Sequence, residues 1–70
     1  MDKRLIKKFA KRIKELRKLN NYTQDDLSYL SGVERSTIGN IETAKNDITL
    51  TKVNKIAKAF KMTLSDFLNF

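Results

Sequence analysis

The sequence predicts an all-α protein, a compact bundle of five helices. The chain holds no proline and only two glycines among its 70 residues. Its apolar residues recur at steps of three and four, which is the spacing of one face of an α-helix. Residues that cap helix ends precede most of these apolar stripes. We expect residues 1–70 to form one domain.

The first predicted helix runs from about Lys3 to Leu19, and lysine and arginine cover its outer faces. Asn21 tolerates the left-handed conformation that ends helices, so we expect the helix to stop there. The apolar residues of this helix fall on one face, as a helix packed on a core requires. They are Ile6, Phe9, Ala10, Ile13 and Leu16.

The second predicted helix begins at Thr23, whose hydroxyl can cap it, and Asp26 completes a Thr-x-x-Asp capping box. We expect Leu27 and Leu30 to supply its buried face. Gly32 ends the helix, because the chain must turn there with a positive φ.

The third predicted helix covers about Arg35 to Thr43, with Ile38 and Ile41 facing the core. Glu34 takes its cap position, where serine, threonine, aspartate or asparagine would be better. Its charge still complements the positive end of the helix dipole.

Two further predicted helices follow Thr49 and Thr63, which are both cap residues, and Asp66 gives the fifth helix a second Thr-x-x-Asp box. The fourth helix carries the apolar stripe Leu50, Val53, Ile56, Ala57 and Phe60. The apolar residues of the fifth are Met62, Leu64, Phe67 and Leu68.

The net charge is +7, from 15 basic and 8 acidic residues, and it favours a polyanionic partner such as nucleic acid. The excess lies in residues 1–18, which hold nine basic and two acidic side chains; residues 19–70 hold six of each. The first helix therefore either attracts DNA or presents a solubilising face. Membrane binding by this helix is disfavoured, because its apolar stripe is needed for the core.

Composition also excludes several classes of function. The chain has no cysteine and no histidine, which excludes disulfides, thiol chemistry and the usual zinc sites. No carboxylate pair falls in a plausible pocket, so we expect no enzyme, no metal and no cofactor. Apolar runs never exceed two residues, so we expect no membrane span and a soluble, cytoplasmic protein.

The second and third predicted helices are short and meet at Gly32, so they must cross steeply. With the isoleucines facing inward, the outer side of the third helix presents Arg35, Ser36, Thr37 and Asn40. Arginine can donate two bonds to guanine, asparagine can pair with adenine, and serine or threonine can contact either. A merely solvated helix face is the alternative interpretation.

Polar residues flank this pair of helices where a DNA backbone would pass. Thr23 and Gln24 lie at a helix start, where free N–H groups and a partial positive charge can hold a phosphate. Thr43, Lys45 and Asn46 follow the third helix and can hold the backbone on its other side. Such contacts set the register while the third helix reads the bases.

Residues 13–68 resemble the phage repressor/Cro family of helix-turn-helix proteins. The matching positions occur in order and with the family's spacing. They are Leu16-Arg17, Thr23-Gln24, Leu27, Gly32-Val33, Ser36-Thr37-Ile38, Ile41-Glu42, Lys45, Leu50, Ile56-Ala57, Leu64 and Phe67-Leu68. The resemblance implies a lambda repressor-like five-helix domain that binds operator DNA, usually as a dimer on a near-palindrome.

The resemblance also implies roles for single residues. Arg17 and Glu42 would form a structural ion pair that joins the first helix to the end of the third. The base-reading and backbone positions would be those already named. Some positions depart from the family pattern: Asn21 and Ala44 stand where glycine is usual, Glu34 where the cap residue is small, and Asp47 where some relatives are basic. The segments 34–37 and 46–50 are also similar to controller proteins of restriction–modification systems.

We expect a homodimer whose two-fold contact lies near the fifth helix, with Leu64, Phe67 and Phe70 as the candidate residues. Phe70 has no evident internal partner in the sequence pattern, and a frayed terminus is the alternative. A dimer would set two recognition helices roughly 34 Å apart, one turn of DNA. No small-molecule ligand domain is expected. The competing hypothesis is a protein-interaction module, such as an antitoxin-like partner, which would need an apolar outer face on the third helix.

Overall fold

The computed structural model describes residues 2–45 and 47–70, and over these ranges it is all-helical with no strand. The five helices are α1 (Lys3–Leu19), α2 (Gln24–Ser31), α3 (Arg35–Glu42), α4 (Leu50–Ala59) and α5 (Leu64–Phe67). This confirms the predicted order. The third helix ends one residue earlier than predicted, because Thr43 is its C-cap. No helix within the described ranges is long and apolar enough to cross a membrane.

The helix starts follow the predicted capping chemistry. The Thr23 hydroxyl accepts from the backbone N–H of Asp26 at 3.0 Å, and the Asp26 carboxylate accepts from the Thr23 N–H at 2.9 Å. The hydroxyls of Thr49 and Thr63 cap α4 and α5. Glu34 forms no side-chain cap bond to the described residues, so α3 begins without the hydrogen bond that its neighbours have.

The core lies where the four longer helices and Phe67 of α5 meet. α1 packs on α3, α2 packs on both α3 and α4, and α4 packs on α5. The buried apolar residues come from every element. They are Phe9, Ala10, Ile13, Leu27, Val33, Ile38, Ile41, Ile48, Val53, Ile56, Ala57, Ala59, Phe60 and Phe67.

Two leucines predicted to be buried are exposed. Leu30 is 48% exposed, because the inner side of α2 runs through Gln24, Leu27, Ser28 and Ser31 and leaves Leu30 beside it. The two serines use that inner side for the following turn: Ser28 donates to the Val33 carbonyl and Ser31 accepts from the Val33 N–H. Leu50 is 67% exposed, because as the first residue of α4 it lies beyond the edge of the core.

Left-handed backbone ends several helices. Gly32 has φ +75° and Asn21 has φ +57°, as predicted for both. Ala44 and Lys61 take the same conformation, with φ +57° and +58°. The exit from α3 therefore has the left-handed geometry that a glycine would favour, although alanine stands there.

Substitutions at the left-handed residues Gly32 and Ala44 should change the free energy of unfolding in opposite directions. We expect Ala44→Gly to stabilise the fold by roughly 1 kcal/mol, because it relieves the clash of a Cβ in left-handed backbone. Gly32→Ala should destabilise it by roughly the same amount for the converse reason. A Cβ on Gly32 would meet no described atom within 4 Å, so the cost is confined to the backbone. Urea unfolding at one protein concentration measures both; shifts of the same sign would contradict this account.

Candidate nucleic-acid interface

Helix α3 is held by its inner side and presents a polar outer side. Ile38, Ile41 and Glu42 are buried against the rest of the domain. The four residues predicted to read bases all keep accessible surface: Arg35 and Ser36 are exposed, and Thr37 and Asn40 are half-buried. The side of α3 that faces away from the core is therefore a row of hydrogen-bonding groups.

An ion pair between α1 and the end of α3 fixes the position of this helix. Arg17 Nε donates to Glu42 Oε2 at 2.9 Å, and Arg17 Nη2 donates to Glu42 Oε1 at 3.1 Å. This is the two-bond fork that arginine forms best with a carboxylate. Arg17 Nη1 also donates to the Tyr22 carbonyl at 3.1 Å, so the same side chain holds the loop before α2. The predicted Arg17–Glu42 pair is present, and Glu42 is almost fully buried.

Gln24 extends this network to α2. Its Nε2 donates to Glu42 Oε1 at 3.2 Å, so one carboxylate receives bonds from α1 and from α2. Every buried side-chain nitrogen or oxygen among the described residues has a partner, so the network leaves no buried polar atom unsatisfied. Gln24 was predicted as a phosphate contact. Its amide NH₂ carries two hydrogens, so one remains for a further acceptor after the bond to Glu42.

A second ion pair joins the starts of α2 and α3. Arg35 Nε lies 2.7 Å from Asp25 Oδ1, with the two side chains 62% and 76% exposed. The sequence pattern did not indicate this pair. No spacing rule links positions ten apart; the packing of α2 on α3 brings them together.

The remaining predicted phosphate contacts differ in whether their hydrogen-bond donors are already used within the protein. The Thr43 hydroxyl lies 3.1 Å from the carbonyls of Gly39 and Asn40, to which it donates, so its hydrogen is shared within α3. Lys45 is exposed, and its backbone N–H donates to the Asn40 carbonyl. The Thr23 hydroxyl accepts a cap bond and keeps its own hydrogen. Asn46 lies outside the described residues.

The basic residues of α1 divide into two groups. Arg12 and Arg17 are structural: Arg12 donates to the Phe67 and Asp66 carbonyls at the end of α5, and Arg17 holds Glu42. The other basic residues of α1 are exposed and form the positive surface of the domain. They are Lys3, Arg4, Lys7, Lys8, Lys11, Lys14 and Lys18.

Among the three predicted dimer residues, the structure corrects the assignment of Phe67 and the expected lack of an internal partner for Phe70. Phe67 is 0% exposed, so its side chain is enclosed within the protomer and has no surface to offer a partner. Phe70, predicted to lack an internal partner, packs edge-on against Phe9 with ring centroids 5.4 Å apart, and it remains 44% exposed. Leu64 is half-buried against the core. Leu50 on α4 and Leu68 after α5 are further exposed apolar residues.

Comparison with known proteins points to one family. A family model described as helix-turn-helix matches residues 13–67. The chain is 44% identical over 55 residues to an HTH-type transcriptional regulator of Methanocaldococcus jannaschii, covering 79% of this chain and 83% of that protein. It is 30% identical over 59 residues to control protein C.SmaI of Serratia marcescens, covering 84% and 70%. The crystal structure of the restriction-modification controller protein C.AhdI from Aeromonas hydrophila superposes with a TM-score of 0.83 at 31% identity, covering 89% of this chain and 94% of that one.

Proposed function

We infer that this chain, which belongs to the helix-turn-helix family, is a DNA-binding transcriptional regulator. It inserts α3 into the major groove of double-stranded DNA. The observation that carries this proposal is the two-sided character of α3, with a locked inner side and four accessible polar side chains outside. An α-helix fits the major groove, where each base pair presents a distinct pattern of donors and acceptors. As a regulator of genes it would act in the cytoplasm.

The outer side of α3 supplies donors for base edges. Arg35 would donate to guanine, Asn40 would pair with adenine, and Ser36 and Thr37 would contact bases or the adjacent backbone. A Cβ on Gly39 would meet only the Gln24 Oε1 atom, at 3.9 Å, among the described residues. Packing between α2 and α3 therefore does not require glycine there, and a close approach to DNA is one use for its small size. The polar face also disfavours the protein-interaction alternative, which needs apolar surface.

Contacts to phosphates would set the register of α3 in the groove. Thr23 and Gln24 stand at the start of α2, where the first backbone N–H groups have no partner within the helix. Lys45 is an exposed basic residue after α3, with Thr43 and Asn46 beside it in the chain. Because Gln24 also bonds to Glu42, a phosphate held by Gln24 would be tied directly to the end of the recognition helix.

Long-range attraction would come from α1 rather than from the surface that reads bases. The starts of α2 and α3 carry Asp25, Asp26 and Glu34, whereas the exposed lysines and Arg4 of α1 give the domain its positive charge. Binding should weaken steeply as salt rises, because each neutralised phosphate releases counterions.

The protein is proposed to act as a homodimer through the exposed apolar residues near α5, which include Leu68 and Phe70. We expect Leu68→Glu to weaken dimerisation by roughly tenfold or more, since it puts a charge where a leucine would be buried. Leu19→Glu is the matched control, because Leu19 is an exposed leucine at the far end of α1. Analytical ultracentrifugation measures both; equal weakening, or a monomeric parent protein, would contradict the proposed interface.

A role as controller of a restriction–modification system is the more specific form of this proposal. Its support is the similarity to C.SmaI and C.AhdI, the second of which is a restriction-modification controller protein. The cognate site would then lie beside restriction and modification genes.

Selection of bound sites from random duplex DNA tests the proposed function. We expect enrichment of a near-palindrome whose half-sites are centred about 10 base pairs apart, the spacing that a two-fold dimer imposes. The control is the same selection with Arg35→Ala protein, which should lose preference at one base pair in each half-site. Failure of the parent protein to enrich any sequence would overturn the proposal.

A further inference from the structure

The ion pair between Asp25 and Arg35 places a carboxylate beside the arginine best suited to read guanine. Arg35 is the first residue of α3, and Asp25 lies in the first turn of α2. We propose that Asp25 is a positioning residue for Arg35 that increases discrimination between cognate and random DNA. This inference rests on the proposed function and adds a specificity determinant to it.

The geometry of the pair leaves the guanine-binding end of Arg35 available. Asp25 Oδ1 contacts Nε, at 2.7 Å, on the side of the guanidinium nearest the chain. The guanidinium is planar and rigid, so a charge that holds its Nε edge also orients the two terminal nitrogens. A bidentate contact to guanine needs only two donors, which those nitrogens can supply. Limiting the rotamers of Arg35 before DNA arrives lowers the entropy lost on binding.

Asp25 would also lower the affinity for random DNA. On a random sequence Arg35 gains most by turning to a phosphate, and that movement would break the ion pair and leave a carboxylate close to the polyanion. On the cognate sequence Arg35 bonds to guanine while it remains beside Asp25. The ion pair is therefore kept in the cognate complex and lost in the complex with random DNA, and this difference increases the ratio of the two Kd values.

Glu34 provides a matched control for this effect. It is exposed, carries the same charge, and lies next to Arg35 in the chain, yet it forms no ion pair with any described residue. Removal of either charge reduces repulsion between the protein and DNA. Only removal of the Asp25 charge releases Arg35.

The experiment compares Asp25→Asn with Glu34→Gln. Fluorescence anisotropy at one fixed salt concentration gives the Kd for the selected site and for a scrambled duplex of equal length. For Asp25→Asn we expect the ratio of random to cognate Kd to fall by roughly two- to fivefold, the size expected of an exposed ion pair. For Glu34→Gln both Kd values should fall by the same factor, leaving the ratio unchanged. Both positions are exposed, and circular dichroism on heating checks that the variants fold.

The same substitution in Arg35→Ala protein tests whether its effect depends on the contact between Asp25 and Arg35. In Arg35→Ala protein, adding Asp25→Asn should no longer change the ratio, because the partner of Asp25 is gone. An Asp25→Asn ratio equal to that of the parent protein would overturn the inference and leave the proposed function standing. A parent protein that binds the two duplexes equally would overturn the proposed function, and this inference with it.

Discussion

Arg17→Met should destabilise the domain by about 3 kcal/mol, the lower end of the range for removing one partner of a buried ion pair. The change leaves the Glu42 carboxylate buried with the Gln24 amide as its remaining side-chain donor. It also removes the bond that holds the Tyr22 carbonyl. Methionine keeps most of the apolar stem of arginine, so the loss measures charge and hydrogen bonding more than packing. Urea unfolding followed by circular dichroism gives the free energy of unfolding.

This loss is large for so small a domain. A chain of 70 residues is expected to have a total stability of roughly 4–10 kcal/mol. Because α3 depends on Glu42 for its orientation, the variant should also lose specific DNA binding, even at temperatures where it remains folded. Protein concentration must be held constant, since the proposed dimerisation would stabilise the folded state by mass action.

The exposed ion pair of α1 supplies the control. Lys11 Nζ lies 3.9 Å from Glu15 Oε1, and both side chains are more than half exposed. Lys11→Met removes one charge from that pair as Arg17→Met does from the buried one, and we expect a change below about 0.5 kcal/mol. Adding Glu42→Gln to Arg17→Met should recover part of the lost stability, because the stranded charge is then removed. Equal effects of Arg17→Met and Lys11→Met would show that the pair does not hold α3.

The features that were predictable from the sequence are governed by neighbours in the chain. The capping box of Thr23 and the left-handed Gly32 involve residues within four positions of each other, and both are present. The Arg17–Glu42 pair spans 25 positions, and only the family resemblance indicated it. Local chemistry therefore predicted the elements and their ends, and the resemblance supplied one long-range contact.

The features that were missed depend on how the helices cross. Periodicity places Leu27 and Leu30 within one arc of α2, but it does not say where the neighbouring helices lie. The inner side passes instead through the two serines that bond to Val33, which leaves Leu30 outside. The hydrogen bond from Gln24 to Glu42 and the ion pair between Arg35 and Asp25 also join different helices, so no sequence pattern indicated them. Phe70 packs on Phe9, which is 61 positions away, because α1 and the end of α5 lie side by side.

Arg35→Ala should weaken binding to the cognate site by about 1–3 kcal/mol in each half-site, which is roughly 5- to 150-fold, and relax the preference at one base pair. The arginine fork would otherwise donate two bonds to guanine, and alanine replaces none of them. The side chain is mostly exposed, so the free energy of unfolding should change little. Anisotropy with the cognate duplex, and with duplexes altered at one base pair, measures affinity and preference together.

Lys45→Ala distinguishes base reading from simple loss of positive charge. Lys45 is exposed after α3 and is proposed to contact a phosphate, so its loss should weaken cognate and random binding alike and lower the salt slope by about one for each half-site. Arg35→Lys sharpens the comparison, because lysine keeps the charge but lacks the planar fork, and it should prefer guanine less strongly than arginine does. If Arg35→Ala weakened both duplexes equally, as Lys45→Ala should, then Arg35 would be a phosphate contact. The base-reading surface would then have to be sought in Ser36, Thr37 and Asn40.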